Sequence, residues 1–256
     1  MTGVDLLRLN PTPQALAEAV ATDFVSTVSA LAAAKSEGEY VEVGIAGGFV
    51  ATTVIPAIAR AAGDADWSHL RIWWIDERFV GGGHSDRNDA EAMRNGLDAL
   101  SGATTMPMPV DTGQGVEAAR ESFAQLWSKE MHGDRFDIVL AGMGPDGHIA
   151  SLFPGHPWAN TGAESSDIIS VVDSPKPPPQ RLSVSMPVLL RARNFWLCAA
   201  GAAKASVLEQ VFSGADPANL PLAALVSDAH PWDDIRRKDN DVRFYVDTAA
   251  AGGLVV

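Results

Sequence analysis

The sequence predicts an α/β fold: one domain over residues 1–256, with a mostly parallel sheet flanked by helices. Two observations lead there. Short apolar runs alternate with helical patterns along most of the chain, and several of those runs end on glycine turns that open toward the next element. A third concerns size and content, since 46% hydrophobic and 20% charged residues suit a globular chain with a substantial core.

The elements follow in order. Thr12 to Ser36 is alanine-rich, and Leu16, Ala19, Val20, Phe24 and Leu31 give it an approximate apolar face. Tyr40 to Ala46 reads as a strand, followed by a helix through Ala61, and Arg71 to Ile75 as the next strand. Val116 to Met131 is helical and leads into Phe136–Ala141, an apolar run ending at glycine, as in a parallel strand buried on both faces. Asn194 to Ala200 is a strand, Ala202 to Phe212 a helix, and Val242 to Asp247 the last strand. Two stretches rich in Gly, Pro and Ser, Val80–Arg87 and Pro154–Arg181, break the rhythm and read as loops long enough to be functional.

Composition excludes several roles. A net charge of −13 opposes nucleic-acid binding, which needs Lys and Arg to displace counterions. An anionic small molecule stays open, provided the scarce cations converge locally. The one cysteine, Cys198, sits in an apolar strand-like run and reads as a buried thiol, with no internal disulfide. No leader and no apolar run of membrane-spanning length stand out, so no membrane partner is expected and the cytoplasm is the default compartment. The assembly is expected to be a monomer or a small homo-oligomer.

The stretch Phe136 to Gly155 carries most of the chemical information. Gly142, Gly144 and Gly147 let the backbone turn sharply after a buried strand, and His148 follows where ligands bind in open α/β sheets. The glycines spell Gly-x-Gly-x-x-Gly. However, Pro145 removes an N–H from the turn, and Pro154 and Gly155 interrupt the chain soon after. A short helical turn aimed at a ligand smaller than a dinucleotide is expected, with His148 as a general base.

Other segments supply candidate anion contacts, each with a plainer alternative. The turn Val43 to Gly48 ends a strand and opens a helix, so its consecutive amides can cradle phosphate or simply pack tightly. Arg78, at the end of Ile75-Asp76-Glu77-Arg78, can hold two phosphate oxygens or form an ion pair with Asp76 or Glu77. Asn88 can offer a neutral amide. Four prolines in Ser174–Arg181 bias that segment toward an extended polyproline conformation, presenting Lys176 and Arg181 or serving as a rigid connector. Lys204 sits at another strand–helix turn, as a donor or as a solvated helix lysine. No Gly-x-Ser-x-Gly elbow and no His-Glu-x-x-His occur. His148 and His156 lie eight apart with Pro154 between them and make a poor metal pair, while His84, His132 and His230 read as solvated.

Taken together, these residues resemble the 6-phosphogluconolactonase family. Its ordered motifs are matched by Gly47-Gly48, by Asp76-Glu77-Arg78-Phe79-Val80, by Gly142 to Pro154, and by Pro175 to Arg181. The resemblance implies a single Rossmann-like α/β domain similar to glucosamine-6-phosphate isomerases. It also implies hydrolysis of 6-phospho-D-glucono-1,5-lactone, a phosphorylated sugar lactone of the oxidative pentose phosphate pathway, with no cofactor and no metal. His148 would activate water, and amides of the glycine turn around Gly144 and Gly147 would face the oxyanion. Asp146 would orient His148 or contact a sugar hydroxyl. Arg78, Lys176, Arg181 and Lys204 would hold the phosphate, with Gly47, Gly48, Asp76 and Asn88 completing the site. Three departures bear on the phosphate cradle: Phe49 stands where Ser or Thr is usual, Gly81 where Pro is, and Arg87 where Ser is. Two rival readings remain, a sugar-phosphate isomerase or deaminase on the same fold and a non-catalytic sugar-phosphate sensor.

Overall fold

A computed structural model describes residues 6–131, 135–156, 166–227, 239–252 and 254. His132 and His230 lie outside the described residues. Strand β1 (Leu7–Asn10) leads into α1 (Pro13–Ala32). Thr12 sets the start of that helix: its hydroxyl accepts from the Ala15 amide at 3.1 Å, and Pro13 occupies the first turn, where its missing N–H costs nothing. The helix buries Leu16, Ala17, Val20, Ala21, Phe24 and Val28, while Ala19 and Leu31 lie only partly covered. By length and composition α1 is apolar enough to cross a membrane, which corrects the expectation that no such run exists; here its apolar stripe packs into the core.

Strand β2 (Val41–Ile45) is followed by a widened π-helical turn, Val50–Val54, that runs directly into α2 (Ile55–Ala62). The chain continues through β3 (Leu70–Trp74), β4 (Asp76–Arg78), α3 (Asn88–Arg94), β5 (Thr104–Met106), α4 (Val116–Glu130) and β6 (Ile138–Ala141). It then forms β7 (Ile168–Val171), β8 (Arg181–Val184), α5 (Met186–Arg191), β9 (Asn194–Ala199), α6 (Ala205–Phe212), β10 (Asp241–Asp247) and α7 (Thr248–Ala251).

Seven strands form one sheet in the order β1-β10-β9-β6-β2-β3-β5, with every pairing parallel. Every residue of β2, β3 and β6 is buried, as expected for strands covered on both faces. After β2 the chain runs outward to β3 and β5, then returns to β6 on the other side of β2. That reversal opens a crevice beyond the carboxyl ends of β2 and β6, the usual ligand position in such sheets.

A second, antiparallel sheet in the order β4-β8-β7 was not foreseen. Its strands have three or four residues and carry Asp, Glu, Arg and Ser, so they leave no apolar period to read. The stretch Pro154–Arg181 is accordingly not one loop, because Ile168–Val171 pairs with Arg181–Val184.

A buried ion pair lies inside the main sheet. Glu42 and Arg71 are direct partners across β2 and β3, both 3% exposed. The guanidinium grips the Glu42 carboxylate, and the Trp73 indole donates to it at 2.7 Å. Removing one member of a buried pair leaves the other uncompensated. Glu42→Ala is therefore expected to cost about 3–5 kcal/mol, read as a lower urea midpoint. A midpoint within error of the parent would show that Arg71 finds water or Glu130 instead.

Candidate active site

At the carboxyl edge of the main sheet lies a cleft of about 290 Å³. Its walls come from the ends of three parallel strands and from the small sheet: Ala46 follows β2, Gly142–Pro145 follow β6, Ala200 and Lys204 follow β9, and Asp76, Arg78 and Arg181 belong to β4 and β8. His148, Gly47, Gly48 and Asn88 also line it.

The segment after β6 is a tight turn and not the short helical turn expected. The Gly144 amide donates to the His148 carbonyl at 3.0 Å and the Gly147 amide to the Gly144 carbonyl at 3.1 Å. Both amides are thus taken up within the turn, which corrects the expectation that they face an oxyanion. In return the turn folds Asp146 onto His148, with Oδ1 2.5 Å from Nδ1. The glycines make room for this contact. A Cβ on Gly144 would lie 2.0 Å from His148 Nδ1 and 2.3 Å from Asp146 Oδ1; one on Gly147, which has φ +79°, would lie 2.1 Å from Leu220 Cδ1.

The protons of this pair can be placed. Burial opposes the charge on Asp146, but its contacts with His148 and Lys176 bring the carboxyl down to about 2, so it only accepts hydrogen bonds. Nδ1 of His148 is therefore the donor. Nε2 is left bare, and no described protein group bonds it. Burial holds the imidazole below its usual value, opposed by Asp146 and assisted by the Lys176 charge. The ring stays neutral under conditions where an exposed histidine begins to charge.

The small sheet places the other polar groups. Arg78 and Arg181 are directly opposite in the β4–β8 register, two like charges that would repel. Neither forms an ion pair among the described residues. Arg78 donates to the Asp86 carbonyl at 2.6 Å and its Nε is buried without a partner. The expected alternative of an Arg78 ion pair with Asp76 or Glu77 is not what forms. Glu77 instead accepts the amides of Arg78, Asn88 and Asp89 at 2.7–2.9 Å, tying β4 to the first turn of α3. Burial pushes the Glu77 carboxyl up to about 7 against the pull of Arg87 and those amides. Arg87 is only 1% exposed; it bonds Asp89 and the Met108 and Pro109 carbonyls, so this departure from the family pattern stays out of the cleft.

Asp76 is 7% exposed and accepts from the Ser151 hydroxyl at 2.7 Å. Asn88 donates to the Asp76 carbonyl at 2.9 Å, while its own Oδ1 is buried and unpartnered against Gly47. Gly47 is required there, because a Cβ would meet Asn88 Oδ1 at 1.9 Å. Ser151 and Glu77 were missed as site residues although both lie in the matched motifs. Their partners are remote in sequence (Ser151 and Asp76 are 75 positions apart), so spacing carries no signal.

Three expectations shift in detail. The Gly48 amide, expected to cradle phosphate, donates to Glu91 Oε2 at 3.0 Å, and the half-buried Phe49 ring lines the cleft beside it. The proline segment is folded back and not extended: the Ser174 amide reaches the Pro179 carbonyl at 3.0 Å, and Arg181 gathers the carbonyls of Lys176, Pro177 and Pro178 at 3.2–3.3 Å. Lys176 consequently turns behind His148, with Nζ 3.1 Å from Asp146 Oδ2. Lys204 donates to the Met143 carbonyl at 2.8 Å and lines the cleft, so it is no solvated helix lysine. Cys198 is buried under the cleft floor, where burial pushes its thiol well up. His84 is exposed, and no described group of His, Cys, Asp and Glu is arranged to hold a metal.

A parallel sheet with a cation-lined crevice at its switch point, and a neutral imidazole inside it, defines an α/β enzyme for a small anionic substrate. Residues 11–232 match the family described as glucosamine-6-phosphate isomerases/6-phosphogluconolactonase, and the chain belongs to it. It is 36% identical over 221 residues to the 6-phosphogluconolactonase of Streptomyces coelicolor, an alignment covering 81% of this chain and 83% of that protein. Among solved structures it resembles a 6-phosphogluconolactonase from Shewanella baltica, with a TM-score of 0.78 at 23% identity, covering 95% and 97% of the two chains. A monomeric glucosamine-6-phosphate deaminase has the same fold, with a TM-score of 0.72 at 17% identity over 98% and 99%.

The spacing at Gly144 generates a direct test. Gly144→Ala should displace His148 from Asp146 and lower kcat about 100-fold, the usual cost of a misplacement near 1 Å, while the folded protein persists by circular dichroism. Activity within a few-fold of the parent would show that the pair is not needed in this geometry.

Proposed function

We propose that this protein hydrolyses 6-phospho-D-glucono-1,5-lactone to 6-phospho-D-gluconate, with His148 as the general base. The observation that carries this reading is the Asp146–His148 pair, which leaves Nε2 unprotonated at a cleft also lined by two arginines that no described carboxylate pairs. The name of the Streptomyces relative supports it.

The chemistry runs as follows. Nε2 takes a proton from water as its oxygen bonds to the lactone carbonyl carbon. Asp146 stabilises the imidazolium through Nδ1–H. Charge develops on the carbonyl oxygen, and Lys204, whose ammonium caps Met143 beside the turn, supplies a cation to offset it. When the tetrahedral intermediate collapses, the ring C–O bond breaks and the ring oxygen receives the proton from Nε2–H. The phosphate dianion relieves the repulsion between Arg78 and Arg181, which gives that register pair a purpose. Asp76 and Asn88 Oδ1 accept from sugar hydroxyls. No electron or group is transferred, so the residues suffice without a cofactor. In this reading the protein serves the oxidative pentose phosphate pathway, with the cytoplasm as its compartment.

A sugar-phosphate isomerase or deaminase would need a second proton shuttle. Asp76 is the available carboxylate, but Ser151 donates to its Oδ2 and Asn88 lies 3.4 Å from its Oδ1. A pure sensor has no use for a bare Nε2 held by a buried carboxylate.

Wild type should accelerate hydrolysis of freshly generated lactone above the spontaneous rate, and His148→Ala should lose at least about 100-fold of kcat while still binding 6-phosphogluconate. Turnover of glucosamine 6-phosphate with no lactone hydrolysis would reverse the assignment. Arg78→Ala should raise KM about tenfold with kcat nearly unchanged; an unchanged KM removes Arg78 from the phosphate site. Because His148 must be neutral to act and its folded value is lowered, activity should persist as pH falls past the usual imidazole range, then drop as the ring protonates. A midpoint above that range would contradict the burial argument.

A further inference from the structure

Lys176 departs furthest from its expected place. It does not stand among the groups lining the cleft. Its Nζ lies 3.1 Å from Asp146 Oδ2, 3.3 Å from Asp146 Oδ1 and 3.1 Å from His148 Nδ1. An ammonium has only donors, and Nδ1 already gives its single proton to Asp146. The approach to Nδ1 is therefore a contact between two proton-bearing nitrogens, and the lysine's hydrogen bonds go to the carboxylate. Such a contact is tolerable while the ring is neutral. It becomes a repulsion between like charges once Nε2 also carries a proton.

The backbone holds this arrangement. Ser174 Oγ donates to the Lys176 carbonyl at 2.9 Å and the Arg181 guanidinium donates to the same carbonyl at 3.2 Å, so the residue is clamped from both sides of the loop. The other charges around the ring are few. Asp146 faces it from its own turn and Asp76 from β4, and both favour its protonation. Lys204, at the start of α6, acts on Lys176 and Asp146. Phe153 packs on the ring at 4.8 Å between centroids, with Arg181 over the Phe153 ring at 5.7 Å. Lys176 is thus the cation in direct contact with the imidazole, set against two carboxylates that would otherwise charge it.

We propose that Lys176 is a positioning residue of the general base and not a phosphate ligand: its ammonium fixes Asp146 behind His148 and opposes a second proton on the ring. This rests on the hydrolytic reading for its kinetic consequence, but not for its structural one. The lysine widens the pH range in which Nε2 is bare. The cost is a weaker base, which the charge on Asp146 offsets once the proton arrives.

The test is the pair Lys176→Met and Lys176→Arg, each assayed for lactone hydrolysis from pH 5.5 to 8.5. In the Met variant the ratio of kcat at pH 6 to kcat at pH 8 should fall about threefold or more below wild type, as expected when a like charge is removed from contact. KM should stay within about twofold, and the Arg variant should restore the wild-type profile. A KM raised about tenfold with an unchanged profile would make Lys176 a phosphate ligand and overturn the proposal; so would a variant unchanged in both. Lys176→Gln provides a second neutral replacement if the Met variant does not fold. Titration of the His148 ring by NMR in the ligand-free proteins needs no turnover. A higher midpoint in the neutral variants supports the proposal even if wild type proves inactive on the lactone, an outcome that would sink the hydrolytic reading alone. An unchanged midpoint overturns the proposal whatever the activity.

Discussion

An ionised carboxylate held against one nitrogen of a single imidazole is the contact on which the site depends. Asp146 and His148 are two residues apart, and side chains at that spacing meet only if the backbone between them doubles back. Gly144 and Gly147 permit this, one by lacking a Cβ that would overlap the pair and the other by adopting φ +79°. The turn is anchored at both ends: β6 is fully buried, and the Leu222 amide reaches the Gly147 carbonyl at 3.2 Å. Ala150, the only non-glycine residue with positive φ among those described, lies just beyond and lines the same cleft. Backbone in that region costs on the order of 1 kcal/mol and persists where the surroundings over-determine it. A charge-assisted hydrogen bond, worth about 1.5–3 kcal/mol, is of the right size to offset it.

The second constraint is electrostatic and involves no catalytic step. A chain of net charge −13 places two arginines opposite one another across two short strands and, among the described residues, pairs neither with a carboxylate. Acidic groups are close by, but they are committed elsewhere: Glu77 to the start of α3, Asp89 to Arg87, and Asp76 to Ser151 and Asn88. The Arg181 donors gather the carbonyls of the proline loop, so the residue that faces the cleft also shapes the loop carrying Lys176. The cleft wall and the Asp146–His148 pair are thus linked through that one side chain.

Five strands of the main sheet, β2, β3, β6, β9 and β10, were legible from their largely apolar runs, whereas the short, polar β1 (LRLN) and β5 (TTM) at its edges were not. The longer helices α1, α2, α4 and α6 were legible, with ends displaced by a few residues: α1 stops at Ala32, four short of the expected Ser36, whereas α3, α5 and α7, of four to seven residues, are too short to show a period. The small sheet was not legible, since strands of three or four residues that mix polar and apolar side chains carry no pattern. Residue types in the cleft were foreseen better than their roles. Lys176 and Arg181 read alike as exposed cations on a stiff loop, but the direction in which each side chain points is set by carbonyls and carboxylates remote in sequence. Gly47 and Gly48 read as a phosphate cradle; one makes room for Asn88, and the other has its amide capped by Glu91, a residue no motif singled out.

The central claim is that Asp146 fixes the proton on Nδ1 and leaves Nε2 bare. Two-bond ¹⁵N–¹H spectra of the imidazole, recorded near pH 7.5 on wild type and assigned by loss of the signal in a His148 variant, report this directly. The structure predicts a protonated Nδ1 and an unprotonated Nε2 for His148. A proton on Nε2, with Nδ1 bare, would mean that the ring cannot accept a proton from water in the cleft, and the account of the site would fail.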